Sequence, residues 1–166
     1  MSLFTSFAKV VETPGLSRWY YAYGSNMNPE RVSDRGLDFD RVVAGWVPGL
    51  GLRFNKQSKE HPHCGHANLV HAPGEMAEGV LYRLTNDDMI KRMDPFENAP
   101  INYSRECIAV QTRQGPILSW VYFANPAVLR EGLVPSRDYL NHLLAGKPYL
   151  SADYHSRLLH WPVSFE

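Results

Sequence analysis

The chain has 166 residues, enough for one domain that buries roughly two-thirds of the surface its unfolded form exposes. Seventeen Lys and Arg balance seventeen Asp and Glu, which argues against nucleic acid or an anionic membrane surface as a partner. Two cysteines, Cys64 and Cys107, allow one bridge at most, no apolar run approaches the ~18 residues of a spanning helix, and the N-terminal stretch lacks a signal-peptide pattern; a complete cytoplasmic protein that folds without metal or disulfide is expected.

Residues 1–16 have weak periodicity, broken by Pro14-Gly15, and read as a tail, with the domain over 17–166. Trp19-Tyr20-Tyr21-Ala22-Tyr23 is aromatic and strand-like. Gly24-Ser25-Asn26 breaks it, and Asn28-Pro29-Glu30 supplies an N-cap and a proline at the first helical position, with Gly36 as the stop. Residues 37–54 hold two apolar segments punctuated by Gly45, Pro48, Gly49 and Gly51, a pattern of bent or edge strands in a strongly curved sheet. Residues 67–71 and 78–83 read as a hairpin turning at 72–75, and Thr85 with Asp88 as a capping box for a short helix through Arg92. Strands are expected at 107–110 and 117–123, joined across residues 113–116. Ser136 caps a helix ending at Gly146, and Ser151 caps a last one. Short turns join most strands and regular βαβ alternation is absent, so the reading is a single α+β domain, a small mixed barrel or strongly curved sheet with a few short helices.

Two stretches carry chemistry. Tyr23-Gly24-Ser25-Asn26-Met27 stands between a strand end and a helix start, where successive N–H groups can converge on a carboxylate. Short Gly-Ser-Asn loops also serve as plain turns, and the pentapeptide alone does not choose. Asp94-Pro95-Phe96-Glu97-Asn98 follows the predicted helix, with Tyr103 and Arg105 on the next strand. A carboxylate beside Phe96 and Ile101 has a route to a raised pKa, hence to accepting and donating a proton near neutrality; a solvated loop glutamate is the alternative.

Together with Pro135-Ser136-x-x-Tyr139 before Gly146, these stretches in this order resemble the motifs of the γ-glutamylcyclotransferase-like family, over about residues 19–158. The resemblance implies a compact mixed-sheet barrel with a pocket at one end. There Tyr23, Gly24, Ser25, Asn26 and Met27 hold the α-carboxylate of a small γ-glutamyl substrate, Tyr103 and Tyr139 line the pocket, and the catalytic glutamate falls on Glu97. No cofactor or metal is implied. The reaction is cyclisation of a γ-glutamyl amide to 5-oxoproline with release of the amine. Two positions depart from the family pattern: Asn98 stands where a glycine often follows the glutamate, and Ser151 replaces a proline. Asn98 tolerates a left-handed backbone, and Ser151 touches only a helix start.

Other readings compete. His61, His63, Cys64, His66 and His71 offer zinc-type ligands, but their spacing matches no familiar zinc pattern, and a polar loop near the pocket mouth fits them better. Cys64, Cys107 and Ser25 are nucleophile types without a sequence-evident base. A non-catalytic module that binds a γ-glutamyl or carboxylate ligand on the same fold is the functional alternative. The pocket rim is expected from residues 55–65 and 124–135.

Overall fold

The computed structural model describes residues 17–165; the expected tail, residues 1–16, lies outside them. Among these residues, five strands, β1 (Trp19–Ala22), β2 (Phe39–Gln57), β3 (Gly65–Leu84), β4 (Tyr103–Thr112) and β5 (Gly115–Ala124), close into a barrel in the order β1-β3-β2-β4-β5. Neighbours pair antiparallel except at the seam, where β1 and β5 run parallel and meet at Tyr20 and Trp120. The helices are α1 (Pro29–Asp34), α2 (Asp94–Glu97), α3 (Arg137–Leu144) and α4 (Ala152–Leu159). This is the single-domain α+β barrel that the sequence predicts.

Local signals act where the sequence places them. Asn28 accepts the Glu30 N–H at 3.2 Å with Pro29 opening α1, and Ser136 and Ser151 accept the Tyr139 and Tyr154 N–H groups at 3.2 Å each. Thr85 and Asp88 form no capping box; Asn86 accepts the Asp88 N–H at 3.0 Å, and only a 3-10 turn, Met89–Arg92, follows.

The hairpin turn suggested at residues 72–75 is instead a break inside β3. Pro48 pairs with Met76 and Leu50 with His71, so two steps along β2 (50 − 48) face five along β3 (76 − 71). Gly49 and Gly74 take φ of +84° and +86° at this point, which bends both strands together. The connection that joins β2 to β3 is the histidine-bearing segment 58–64. Strands β4 and β5 are longer than predicted, ten residues each, and turn tightly from Thr112 to Gly115.

Tyr21, Leu81, Tyr82 and Leu84 of the strands and Leu140 and Leu143 of α3 are fully buried, on the two faces of the barrel wall and beneath the helix. Helix α3 packs on the 3-10 turn Ser25–Met27, and Met27 is its anchor, with no exposed surface. Gly146 ends this region by close approach, not by a left-handed cap. Its φ is −76°, and a Cβ there would stand 3.0 Å from that of Met27. No described helix is long and apolar enough to cross a membrane.

Candidate active site

A small recess opens where β1 and β5 end and β4 begins. Its walls are Tyr20 and Tyr23 from β1 and the residue after it, the loop Gly24-Ser25-Asn26, Ala67 of β3, Glu97 of α2, Tyr103 of β4, Tyr122 of β5 and Tyr139 of α3, with Arg35 and Phe96 at its side. Every sequence-predicted site residue except Met27 lines it. Met27 lies beneath, in the core, and holds the loop from behind.

Gly24 is needed for space. Its φ of −114° is open to any residue, but a Cβ there would meet the Ala67 Cβ at 2.9 Å and the Tyr139 hydroxyl at 3.3 Å. The Met27 and Asn28 N–H groups close the turn onto the Gly24 and Ser25 carbonyls at 2.9 and 3.3 Å. By contrast, the N–H groups of Gly24, Ser25 and Asn26 donate to no acceptor among the described residues. Three successive donors at the lip of a recess are an anion-binding arrangement.

Asn26, 3% exposed, organises the floor. Its Nδ2 lies 2.9 Å from the Tyr20 hydroxyl oxygen and 3.2 Å from Glu97 Oε1, and its Oδ1 accepts from Arg35 Nη1 at 3.0 Å. Arg35 Nη1 also stands 4.0 Å from Glu97 Oε1. The Glu97 side chain is 17% exposed, and burial pushes its pKa above the usual carboxylate range while Arg35, Arg31, Lys56 and the Asn26 amide hold it down. Of the two hydrophobic neighbours expected to raise it, Phe96, 51% exposed, lines the recess beside Glu97, and Ile101, 69% exposed, does not. Tyr20, Tyr23, Tyr103, Tyr122 and Tyr139 stand in the same recess, so the carboxyl lies among aromatic rings that keep water from it. Asn98 takes φ +47°, the left-handed conformation that ends α2 directly after Glu97.

The tyrosines are fixed by the backbone. Tyr103 donates to the Ala67 carbonyl at 2.9 Å, Tyr23 donates to the Tyr122 carbonyl, and the Tyr139 hydroxyl accepts the Ala67 N–H at 2.9 Å. Burial raises all three, Tyr139 to about 12, so each is a neutral phenol at physiological pH. Tyr20, Arg35 and Asn26 form the network behind Glu97, yet the sequence singled out only Asn26. Arg35 follows Arg31 by one helical turn just after the glycine loop, a spacing that sets both on one face, and this was the available signal.

Asp94 serves a different purpose. Arg105 holds it through two bonds, Nε–Oδ1 at 2.9 Å and Nη2–Oδ2 at 3.0 Å, and Tyr122 donates to Oδ1. The Arg105 guanidinium in turn lies over the Trp120 ring, 4.5 Å from its centroid. This fork ties α2 to β4 and β5. Asp94→Asn is expected to cost roughly 2 kcal/mol of stability by denaturant unfolding, with the rate per folded molecule within a few-fold of the parent. A hundredfold loss of rate in a folded variant would contradict that division of labour.

Beyond Phe96 and Tyr139 the recess meets a wider basin walled by Arg31, Lys56, residues 58–61, His66, residues 136–139 and His142. The rim is thus built from 56–61 and from α3. Residues 124–135 do not line it. Of the histidine run, His61 and His66 face the basin and His63 and His71 are exposed; among the described residues no group of three or more His, Cys, Asp or Glu is arranged to hold a metal ion. Cys107 is 1% exposed and burial pushes its thiol up to about 11, which suits a packing role.

Fold and site define a small α+β barrel with an acid group at the floor of a tyrosine-lined recess. The family model Gamma-glutamyl cyclotransferase, AIG2-like matches residues 20–141, and the chain belongs to that family. Among solved structures, one named gamma-glutamyl cyclotransferase is 23% identical with a TM-score of 0.77, covering 89% of each chain. YkqA from Bacillus subtilis is 19% identical at a TM-score of 0.70, covering 88% of this chain and 55% of its own. A yeast gamma-glutamyl cyclotransferase specific to glutathione is 15% identical at 0.58, covering 85% of this chain and 93% of its own. At such identities these likenesses show the fold. A search of curated protein sequences returns no match.

Proposed function

We propose that the protein cyclises γ-glutamyl amides to 5-oxoproline and releases the free amine, with Glu97 as the proton carrier. The observation that carries this reading is the setting of Glu97: a desolvated carboxyl with raised proton affinity, held by Asn26 in the same recess as the loop 24–26, whose N–H groups have no acceptor among the described residues. Family membership supports the reaction class.

The chemistry needs little else. The substrate's α-nitrogen and γ-carbonyl belong to one molecule, and holding them in contact contributes several kcal/mol. Glu97 takes a proton from the α-ammonium, the freed amine attacks the γ-carbonyl carbon, and a C–N bond closes the five-membered ring. The N–H groups of residues 24–26 suit the substrate α-carboxylate, while Tyr103 and Tyr139, neutral and rigidly held, bound the chain between the ends. Collapse of the tetrahedral intermediate breaks the original amide bond as Glu97 returns its proton to the departing nitrogen. From ammonium to lactam N–H the substrate nitrogen loses two protons, and the released amine, leaving as an ammonium, gains two; the carboxylate ends the cycle as it began.

The test is a panel of γ-glutamyl amino acids, γ-glutamyl amines and glutathione, each followed for 5-oxoproline and released amine. At least one is expected to turn over, at a rate unchanged by chelator. Binding without turnover across the panel would favour the module reading, and activity lost to chelator and restored by zinc would bring the histidine segment into the mechanism.

A further inference from the structure

The inner recess is close to electrically balanced by Glu97 and Arg35, but the adjoining basin is not. Lys56 is 6% exposed, and Arg31 has a buried Nε without a hydrogen-bond partner. Among the described residues neither makes an ion pair within 4.0 Å. The rim acids Glu60 and Asp138 are exposed, and the carboxylate whose charge acts on both cations is Glu97, in the inner recess. His66, the cross-strand partner of Lys56, stacks on Tyr139 in the same basin wall, with centroids 4.5 Å apart and planes at 11°. Burial and these same cations push its pKa down to about 4, so it stays a neutral hydrogen-bonding ring. Burial lowers the pKa of Lys56 and the more distant Glu97 charge offsets that only in part, so holding this ammonium at the basin wall without an ion-pair partner costs stability.

We propose that Arg31, Lys56 and His66 form a subsite for an acidic group, carboxylate or phosphate, carried by the amine that leaves, and that they set the enzyme's substrate preference. The inference rests on the γ-glutamyl reading of the recess. A γ-glutamyl head in that recess has its amide directed past Phe96 and Tyr139, which line both cavities, so the leaving portion enters the basin. The head's own carboxylate is then matched by the loop N–H groups, and the basin cations remain for a second anion.

Four amides of similar size separate the possibilities: γ-glutamyl-β-alanine, its uncharged isostere γ-glutamyl-isopentylamine, γ-glutamyl-phosphoethanolamine and the cationic γ-glutamyl-diaminopropane. The carboxylate or the phosphate amide is expected to exceed the uncharged one in kcat/KM by about tenfold or more, with the cationic one lowest. The better of the two acids identifies the group. Lys56→Met and Arg31→Gln are each expected to bring the acid-to-neutral ratio to within about threefold of one. Lys56→Met is also expected to raise the melting temperature by about 2–4 °C, since a partly buried charge without an ion-pair partner is removed. Equal rates for charged and uncharged amides, a ratio untouched by both variants, or a melting temperature that falls with Lys56→Met would overturn the subsite. Calorimetric binding of the same amides keeps it separate from the reaction. Acid-selective binding without turnover leaves the subsite standing and removes the cyclisation reading; absence of both removes both.

Discussion

Glu97→Gln is expected to lower the single-turnover rate by on the order of a hundredfold or more while substrate binding, measured by calorimetry, stays within a few-fold of the parent. Glutamine preserves the shape and the contact with Asn26 but cannot cycle a proton. In the parent, kcat/KM falls on the acid side as Glu97 becomes protonated, and that limb lies above pH 4.5 because burial raises its pKa. The same shift fixes the stability effect. A carboxyl with a raised folded-state pKa contributes stability below its unfolded value and loses it as pH rises through the folded one. Glu97→Gln mimics the protonated form, so the variant is more stable than the parent at pH 7 and equal to it well below pH 4.5. A variant less stable at neutral pH would mean that Arg35 needs the carboxylate as a structural partner.

Gly24→Val is the second large effect. Its Cβ starts 2.9 Å from the Ala67 Cβ and 3.3 Å from the Tyr139 hydroxyl, and two further methyl groups extend from it. Ala67 is also the residue whose carbonyl and N–H hold Tyr103 and Tyr139. The crowding therefore displaces two walls of the recess at once, at a cost of about 1–3 kcal/mol. Affinity for a γ-glutamyl ligand is expected to fall roughly tenfold or more in a protein that still folds cooperatively. Unchanged affinity would reduce the loop to a plain turn.

Much of the site was legible because its signals are local. The aromatic run, the Gly24 break and the Asn28 cap fix strand, loop and helix within residues 19–34, and the serine caps at 136 and 151 need only their neighbours. The double bend at Gly49 and Gly74 was not legible, because Pro73-Gly74 marks a hairpin unless the facing strand breaks at the same height, and only the pairing of β2 with β3 shows that it does. Glu97 was singled out by its motif and its neighbour Phe96, which does line the recess, but Tyr20 and Tyr23, distant in sequence, stand in the same recess and were not legible as its surroundings. Arg31, Arg35 and Lys56 were not singled out from the sequence. Their meaning depends on barrel closure, which brings α1, β2 and α2 to one opening.

The most direct measurement is one turnover reaction in water enriched in oxygen-18, with a γ-glutamyl amide that the protein consumes and products resolved by mass spectrometry. Intramolecular attack by the α-amine predicts released amine and 5-oxoproline in equal amounts, the 5-oxoproline carrying no heavy oxygen. Glutamate labelled in its γ-carboxylate would show water to be the nucleophile and contradict the cyclisation assigned to Glu97 and the recess around it.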